Sequence, residues 1–117
     1  MARLSSHVLD ATHGCPAAGL RIDLYRVEPQ SRRLVTTAVT DEHGRTSAPL
    51  LEDTVIPVGC YQLVFHAGDY FRSRGMRFTE PAFLDEVTVA FGIADAGGNY
   101  HVPLLLSPYG YTTYRGS

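Results

Sequence analysis

Two histidines stand where the neighbouring residues direct their side chains away from the core. Leu4 and Val8 form the apolar face of an alternating segment, so His7 points to its outer face. A later segment is apolar at every second residue from Tyr100, which directs His101 outward too. Histidine titrates at about 6.5 in the absence of perturbation and is the usual general base at neutral pH. If the two segments share a sheet, the histidines can meet in one site; the alternative is that each is a solvated surface residue.

An arginine follows a tight turn and offers a second kind of chemistry. Arg45 comes directly after Glu42-His43-Gly44. It is either a solvated turn residue or a cation for an anionic ligand. We expect His13, like His43, to be solvated in its turn, and His66 to have a structural role. No H-x-H or H-E-x-x-H pattern is present, so spacing does not indicate a zinc site.

The end of the chain is rich in tyrosine and alternates like a strand. Four of the seven tyrosines lie after residue 99, and the chain closes with Tyr114-Arg115-Gly116-Ser117. One interpretation is a frayed tail. The other is an ordered end whose guanidinium and hydroxyl groups donate to an anion.

Short strands separated by turn residues must position these groups. Alternating or β-branched segments predict seven strands, at residues 4–9, 20–27, 34–40, 60–67, 87–93, 100–106 and 109–114. Asp69 can cap a short helix that Gly75 ends. We expect a positive φ at Gly44 and a hairpin connection over residues 95–99. Seven or eight short strands with one short helix indicate an all-β sandwich.

Length and composition narrow the class of protein. The 117 residues suit one domain, 1–117, and 44% of them are hydrophobic. A net charge of −2 excludes the overall basic character of a nucleic-acid-binding domain. No apolar run reaches the length of a membrane span, and the start of the chain lacks a signal sequence, so we expect a cytoplasmic protein. Cys15 and Cys60 are then free thiols, and we expect Cys60 in the core.

Both ends of the chain resemble one known family. Leu4-Ser5-Ser6-His7-Val8-Leu9-Asp10 resembles the N-terminal signature of the transthyretin-like proteins that act as 5-hydroxyisourate hydrolases, and residues 100–117 resemble their C-terminal signature. Gly44-Arg45-Thr46 matches as well. The ending Tyr114-Arg115-Gly116-Ser117 is specific, because the transthyretin hormone carrier lacks it.

The resemblance implies an eight-stranded, transthyretin-like β-sandwich with one short helix. It also implies a homotetramer, a dimer of dimers, with a channel between dimers. The reaction would be hydrolysis of 5-hydroxyisourate, a cyclic amide, to 2-oxo-4-hydroxy-4-carboxy-5-ureidoimidazoline in urate breakdown. The scheme requires no metal or organic cofactor. Asn99 departs from the pattern, since many members carry a further histidine there.

The family motif assigns the site to five residues. His7 would position and deprotonate water, shared with His101. Arg45 would hold the anionic substrate and polarise its carbonyl, while Tyr114 would contact the ring. Ser117 would orient a histidine or the water.

Two other functions remain open at this point. The same fold also serves as a non-enzymatic carrier of small aromatic ligands, since fold does not fix function. His7, Arg45 and the terminal tetrapeptide favour the hydrolase over that carrier. A structural β-sandwich module is the third reading, and the absence of flanking domains and linkers argues against it.

Overall fold

Nine strands and one helix make up the structure, a computed structural model that describes residues 1–117. All seven strands expected from the sequence are present within a few residues of their expected bounds. The two additional strands, β2 and β5, are too short for alternation to reveal them. The elements are β1 (Ala2–Asp10), β2 (Cys15–Pro16), β3 (Arg21–Glu28), β4 (Ser31–Val39), β5 (Leu51–Asp53), β6 (Gly59–Phe65), α1 (Ala67–Ser73), β7 (Val87–Ile93), β8 (Asn99–Ser107) and β9 (Gly110–Thr113).

The strands form two sheets that pack face to face. One sheet has the order β2-β1-β8-β9, with β5 also paired to β1, and the other has the order β4-β3-β6-β7. Every pairing is antiparallel except that of β1 with β8, which is parallel. The two strands that carry the outward histidines are therefore neighbours in one sheet. This pairing meets the condition under which His7 and His101 share a site.

The core lies between the sheets and follows the period-2 pattern. Leu4 and Leu104 come from one sheet, Leu24 and Leu63 from the other, and all four are fully buried. Burying one such side chain is worth about 1.5–3 kcal/mol. The inner face therefore fixes the two sheets rigidly and leaves the opposite face of β1 and β8 available for polar side chains.

Two expectations about the strands are wrong. Residues 95–99 do not form a hairpin connection, because β7 and β8 belong to different sheets and the segment crosses between them. The hydroxyl of Tyr100 stabilises this crossing by accepting from the backbone N–H groups of Ala94 and Asp95, at 3.1 and 2.9 Å.

Cys60 is exposed rather than in the core, since Tyr61 and not Cys60 takes the inner face of β6. Both cysteines are unpaired, as expected.

The short helix exists, but its start differs from the expected one. It begins at Ala67, and the residue before it makes no side-chain cap. Asp69 therefore lies inside the first turn, where its negative charge interacts favourably with the positive end of the helix dipole. Gly75 follows the helix with a φ of +85°, in keeping with its expected role at the end. No helix in the structure is both long and apolar enough to cross a membrane.

The turn at residues 41–44 packs closely against β1. Gly44 adopts a φ of +76°, as predicted, and its N–H donates to the carbonyl of Asp41 at 2.9 Å. A Cβ at this position would collide with the carbonyl oxygen of Val8. Only glycine lets the turn approach β1 so closely, and this approach brings Arg45 beside the strand that carries His7.

Candidate active site

The parallel pairing of β1 with β8 sets Ser5 directly opposite His101. The two side chains share the outer face of the sheet, and Ser5 Oγ lies 2.8 Å from His101 Nδ1. In the tautomer whose Nδ1–H donates to the Ser5 hydroxyl, Nε2 keeps a lone pair. In that tautomer His101 presents an acceptor nitrogen away from the strand pair.

The surroundings of His101 favour its neutral form. Burial lowers the pKa of His101 below its usual value, and the nearby Arg45 and His7 lower it further. A hydrogen bond to the backbone of Ser5 works in the opposite direction without reversing the shift. The imidazole is thus unprotonated at neutral pH, which is the state that a general base needs.

His7 is fixed by the neighbouring turn. Its Nε2 lies 2.9 Å from the backbone carbonyl oxygen of His43. Because a carbonyl only accepts, Nε2 of His7 carries the hydrogen, and the neutral ring keeps its lone pair on Nδ1. The side chain is half-buried. His7 is therefore a second oriented imidazole with one free acceptor nitrogen.

Asp41 holds the turn that presents Arg45. One carboxylate oxygen, Oδ1, accepts from the backbone N–H groups of His43 at 2.8 Å and Arg45 at 3.2 Å. Those two hydrogen bonds lower the pKa of Asp41. The N–H of Asp41 donates back to the carbonyl of Arg45 at 2.7 Å, and Arg45 forms an isolated β-bridge with His7. One turn therefore orients His7 through the His43 carbonyl and places Arg45 next to it.

The last residues of the chain lie against β8. The N–H of Gly116 donates to the carbonyl of His101 at 2.8 Å. The guanidinium of Arg115 stacks 4.2 Å from the ring centre of Tyr100 and donates to the carbonyl of Asn99 at 3.1 Å. These contacts agree with an ordered end and disagree with a frayed tail. They bring Ser117 to the same side of β8 as His101.

One cleft of about 340 Å³ brings three of the expected site residues together, namely Arg45, His101 and Ser117. Such a volume suits a small ligand. The side chains that line the cleft include two arginines and no aspartate or glutamate, so these side chains favour an anion. The other lining residues are Arg3, Ser5, Asn99 and Tyr100.

The two remaining site residues lie outside this lining. His7 adjoins the cleft through its bridge to Arg45, and it is one of the groups that lower the pKa of His101. Tyr114 is 57% exposed and lines a separate cleft of about 240 Å³ with Val89 and Val102. Its contact with substrate stays a prediction.

Sequence reasoning missed Arg3 and Ser5 as lining residues. The signal was available, because both share the strand parity of His7 and must face the same way. His13 is exposed in its turn, as expected, and its Nδ1 also lies 2.6 Å from buried Asp10. His66 has the structural role expected, since its Nε2 lies 2.8 Å from Asp23.

Metal-ligating side chains do not gather anywhere in the structure. No group of three or more His, Cys, Asp or Glu residues is placed to hold an ion. His43, the remaining turn histidine, has a largely exposed side chain, as expected.

Sequence and fold together define the class of this protein. Residues 4–116 match the model of the HIUase/Transthyretin family, and the chain belongs to this family. The family match confirms the resemblance, and the two-sheet architecture is the transthyretin-like β-sandwich.

Individual relatives sharpen the assignment. The chain is 56% identical to a 5-hydroxyisourate hydrolase of Pseudomonas aeruginosa, over all of this chain and 93% of that one. It is 30% identical to the structure of the Klebsiella pneumoniae 5-hydroxyisourate hydrolase, with a TM-score of 0.81, covering 100% of this chain and 94% of that one. A crystal structure of (S)-allantoin synthase is 42% identical with a TM-score of 0.90; it matches 99% of this chain, which spans 44% of that protein.

Proposed function

We propose that residues 1–117 form one hydrolase domain that converts 5-hydroxyisourate to the ring-opened ureidoimidazoline. The observation that carries the proposal is the cleft in which Arg45, His101 and Ser117 meet without an acidic side chain. The hydrolase names of relatives in Pseudomonas and Klebsiella support it. An anionic, planar substrate fits a cleft whose only formal side-chain charges are positive.

The reaction needs a base for water and a cation for the substrate. Water oxygen adds to a ring carbonyl carbon, the carbon–nitrogen bond breaks, and the nitrogen takes the proton. His7 positions and deprotonates the water, a task shared with His101, whose lowered pKa keeps it unprotonated. A positioned base of this kind supplies about 10²–10⁴-fold in rate.

The remaining site residues handle charge and orientation. Arg45 holds the substrate anion and polarises the carbonyl, because its planar fork can donate to both. Ser117 orients a histidine or the water from the end of the chain. Tyr114 contacts the substrate ring once a neighbouring copy completes the channel.

We also propose that the protein assembles as a homotetramer. Support comes from large exposed side chains around the β8–β9 hairpin, where Leu105 is 36%, Tyr111 45% and Tyr109 74% exposed. Phe83 adds a further exposed apolar ring, with its centre 5.9 Å from that of Tyr109. Several large exposed apolar side chains at one hairpin favour an interface there. Sedimentation at micromolar concentration should show a tetramer, and an active monomer would contradict the shared channel.

The cytoplasm is the compartment that we propose. Cys15 and Cys60 are both unpaired, which suits a reducing environment.

Turnover separates the hydrolase from a carrier on the same fold. Urate is oxidised in the cuvette to generate 5-hydroxyisourate, and its ultraviolet decay is followed with protein at one-hundredth of the substrate concentration. A hydrolase accelerates the whole decay at this ratio. A carrier can at most protect an equimolar fraction, so an unchanged decay would contradict the proposal.

A further inference from the structure

We propose that Arg3 is a second anion-binding residue of the cleft, holding the side of the substrate that lies away from Arg45. Arg3 lines the same cleft as His101 and Arg45. This inference rests on the proposed function for the identity of the ligand. The prediction that Arg3 binds an anion rests on the geometry alone.

Strand register places Arg3 and Arg45 on opposite sides of His101. Along β1 the outer face carries Arg3, Ser5 and His7 in order, and His101 of β8 lies beside the middle one. Arg45 is bridged to His7 at the far end of this row. Four residues of strand separate Arg3 from His7 by about 13 Å, which two long arginine side chains can close over a ligand seated on His101.

Neither arginine forms an ion pair with another side chain. Every ion pair in the structure involves other residues. On β8 the residue opposite Arg3 is the uncharged Asn99, and on β5 it is Glu52, with which Arg3 forms no ion pair. Two guanidinium groups without ion pairs therefore face one cleft. Together they can bind an anion large enough to present acceptor atoms to both of them.

The chemistry of the substrate gives these two cations separate tasks. Arg45 lies beside the histidine pair, where the carbonyl is attacked. Ring opening then converts the attacked carbonyl into a carboxylate, so the ligand keeps or gains negative charge through the reaction. Arg3 contributes to binding in all of these states, and its loss should raise KM while leaving kcat nearly unchanged.

The test uses urate, a stable planar anion, as the probe. Calorimetric titration of the whole protein at low salt compares wild type, Arg3→Gln and Arg32→Gln. The control removes one exposed positive charge from β4 in the other sheet. We expect about fivefold weaker urate binding for Arg3→Gln and no change for Arg32→Gln, with Arg3→Lys regaining part of the loss. The KM for 5-hydroxyisourate should rise by a similar factor.

The outcomes separate this inference from the proposed function. Equal urate binding by Arg3→Gln and wild type, or no urate binding by wild type, overturns the role of Arg3. An equal loss in Arg32→Gln overturns it too, because the effect would then be general charge. If wild type fails to hydrolyse 5-hydroxyisourate but Arg3→Gln alone loses urate binding, the hydrolase proposal fails and the anion site stands.

Discussion

Ser5 Oγ and His101 Nδ1 lie 2.8 Å apart across the parallel pair of β1 and β8, although 96 residues separate them in the chain. This contact fixes the imidazole with its other nitrogen toward the cleft. It also joins the two signature segments of the sequence into one site.

Replacing Ser5 by alanine should lower kcat/KM by about two- to tenfold. This factor corresponds to the loss of one hydrogen bond, which contributes about 0.5–1.5 kcal/mol. Ser6→Ala is the matched control, since the Ser6 hydroxyl is buried on the inner face and donates to the carbonyl of Val102 at 2.8 Å. That variant should lose stability in urea unfolding but keep its rate per folded molecule. Equal rates for Ser5→Ala and wild type would show that Ser5 does not orient His101.

The charge of Arg45 should be visible in the titration of His101. Burial comes first among the causes that lower this pKa, and the charge of Arg45 comes second. Arg45→Gln removes that charge, so the pKa of His101 should rise toward its usual value. In wild type, His101 should stop acting as a base only as pH drops through its lowered pKa.

Nuclear magnetic resonance titration of the histidine ring protons measures this directly, even if Arg45→Gln is inactive. Arg32→Gln provides the control for loss of one positive charge on the other sheet. An unchanged His101 titration in Arg45→Gln would contradict the proximity of the two groups.

Shape as well as charge should matter at Arg45. Arg45→Lys keeps the charge but loses the planar fork that can grip a carbonyl and an anion together. We expect a larger loss of kcat/KM than for Arg32→Lys, whose arginine lies over the ring of Tyr25 at 4.0 Å. If the two lysine variants behave alike in steady-state kinetics, Arg45 is only a solvated turn residue.

The end of the chain should be sensitive to one added methyl group. A Cβ at Gly116 would lie 2.6 Å from His101 Cδ2, so Gly116→Ala must displace the imidazole or the tail. We expect a loss of up to about 100-fold in kcat/KM, since displacements of about 1 Å have effects of this size. Gly92→Ala is the control, because a Cβ there meets nothing within 4 Å.

Truncation extends the same test. Deleting residues 115–117 removes the Gly116 hydrogen bond to His101 and the stacking of Arg115 on Tyr100, yet removes no residue of the hydrophobic core. Activity should be mostly lost with little change in thermal stability. Normal kinetics in both Gly116→Ala and the truncated protein would mean that the chain end has no part in the site.

Much of this site was predictable because strand parity is a local property. The outward directions of His7 and His101 follow from the apolar residues next to them. Parity applied to Arg3 and Ser5 would have placed them on the same face. The positive φ of Gly44 was predictable because glycine, which lacks a Cβ, is the residue that most readily adopts this conformation in a tight turn.

The pairing of strands was not predictable in this way. No local signal states that β1 lies parallel to β8, since that arrangement is set by the packing of the whole sandwich. The turn residues at 95–99 indicate a reversal, but they cannot show whether the chain returns to the same sheet. Cys60 is a different case: alternation with Tyr61 and Leu63 places it on the outer face, and only its apolar surroundings suggested the core.

The rate of 5-hydroxyisourate decay with His7→Asn and His101→Asn, each beside wild type, tests the central claim most directly. Asparagine removes the base while keeping a polar side chain, and both histidines lie on the outer face, away from the core. We expect each variant to retain its fold and assembly by light scattering and to lose at least about 100-fold in the catalysed rate. Near-normal rates in both variants would contradict the account, because the cleft on β1 and β8 would then not be the catalytic site.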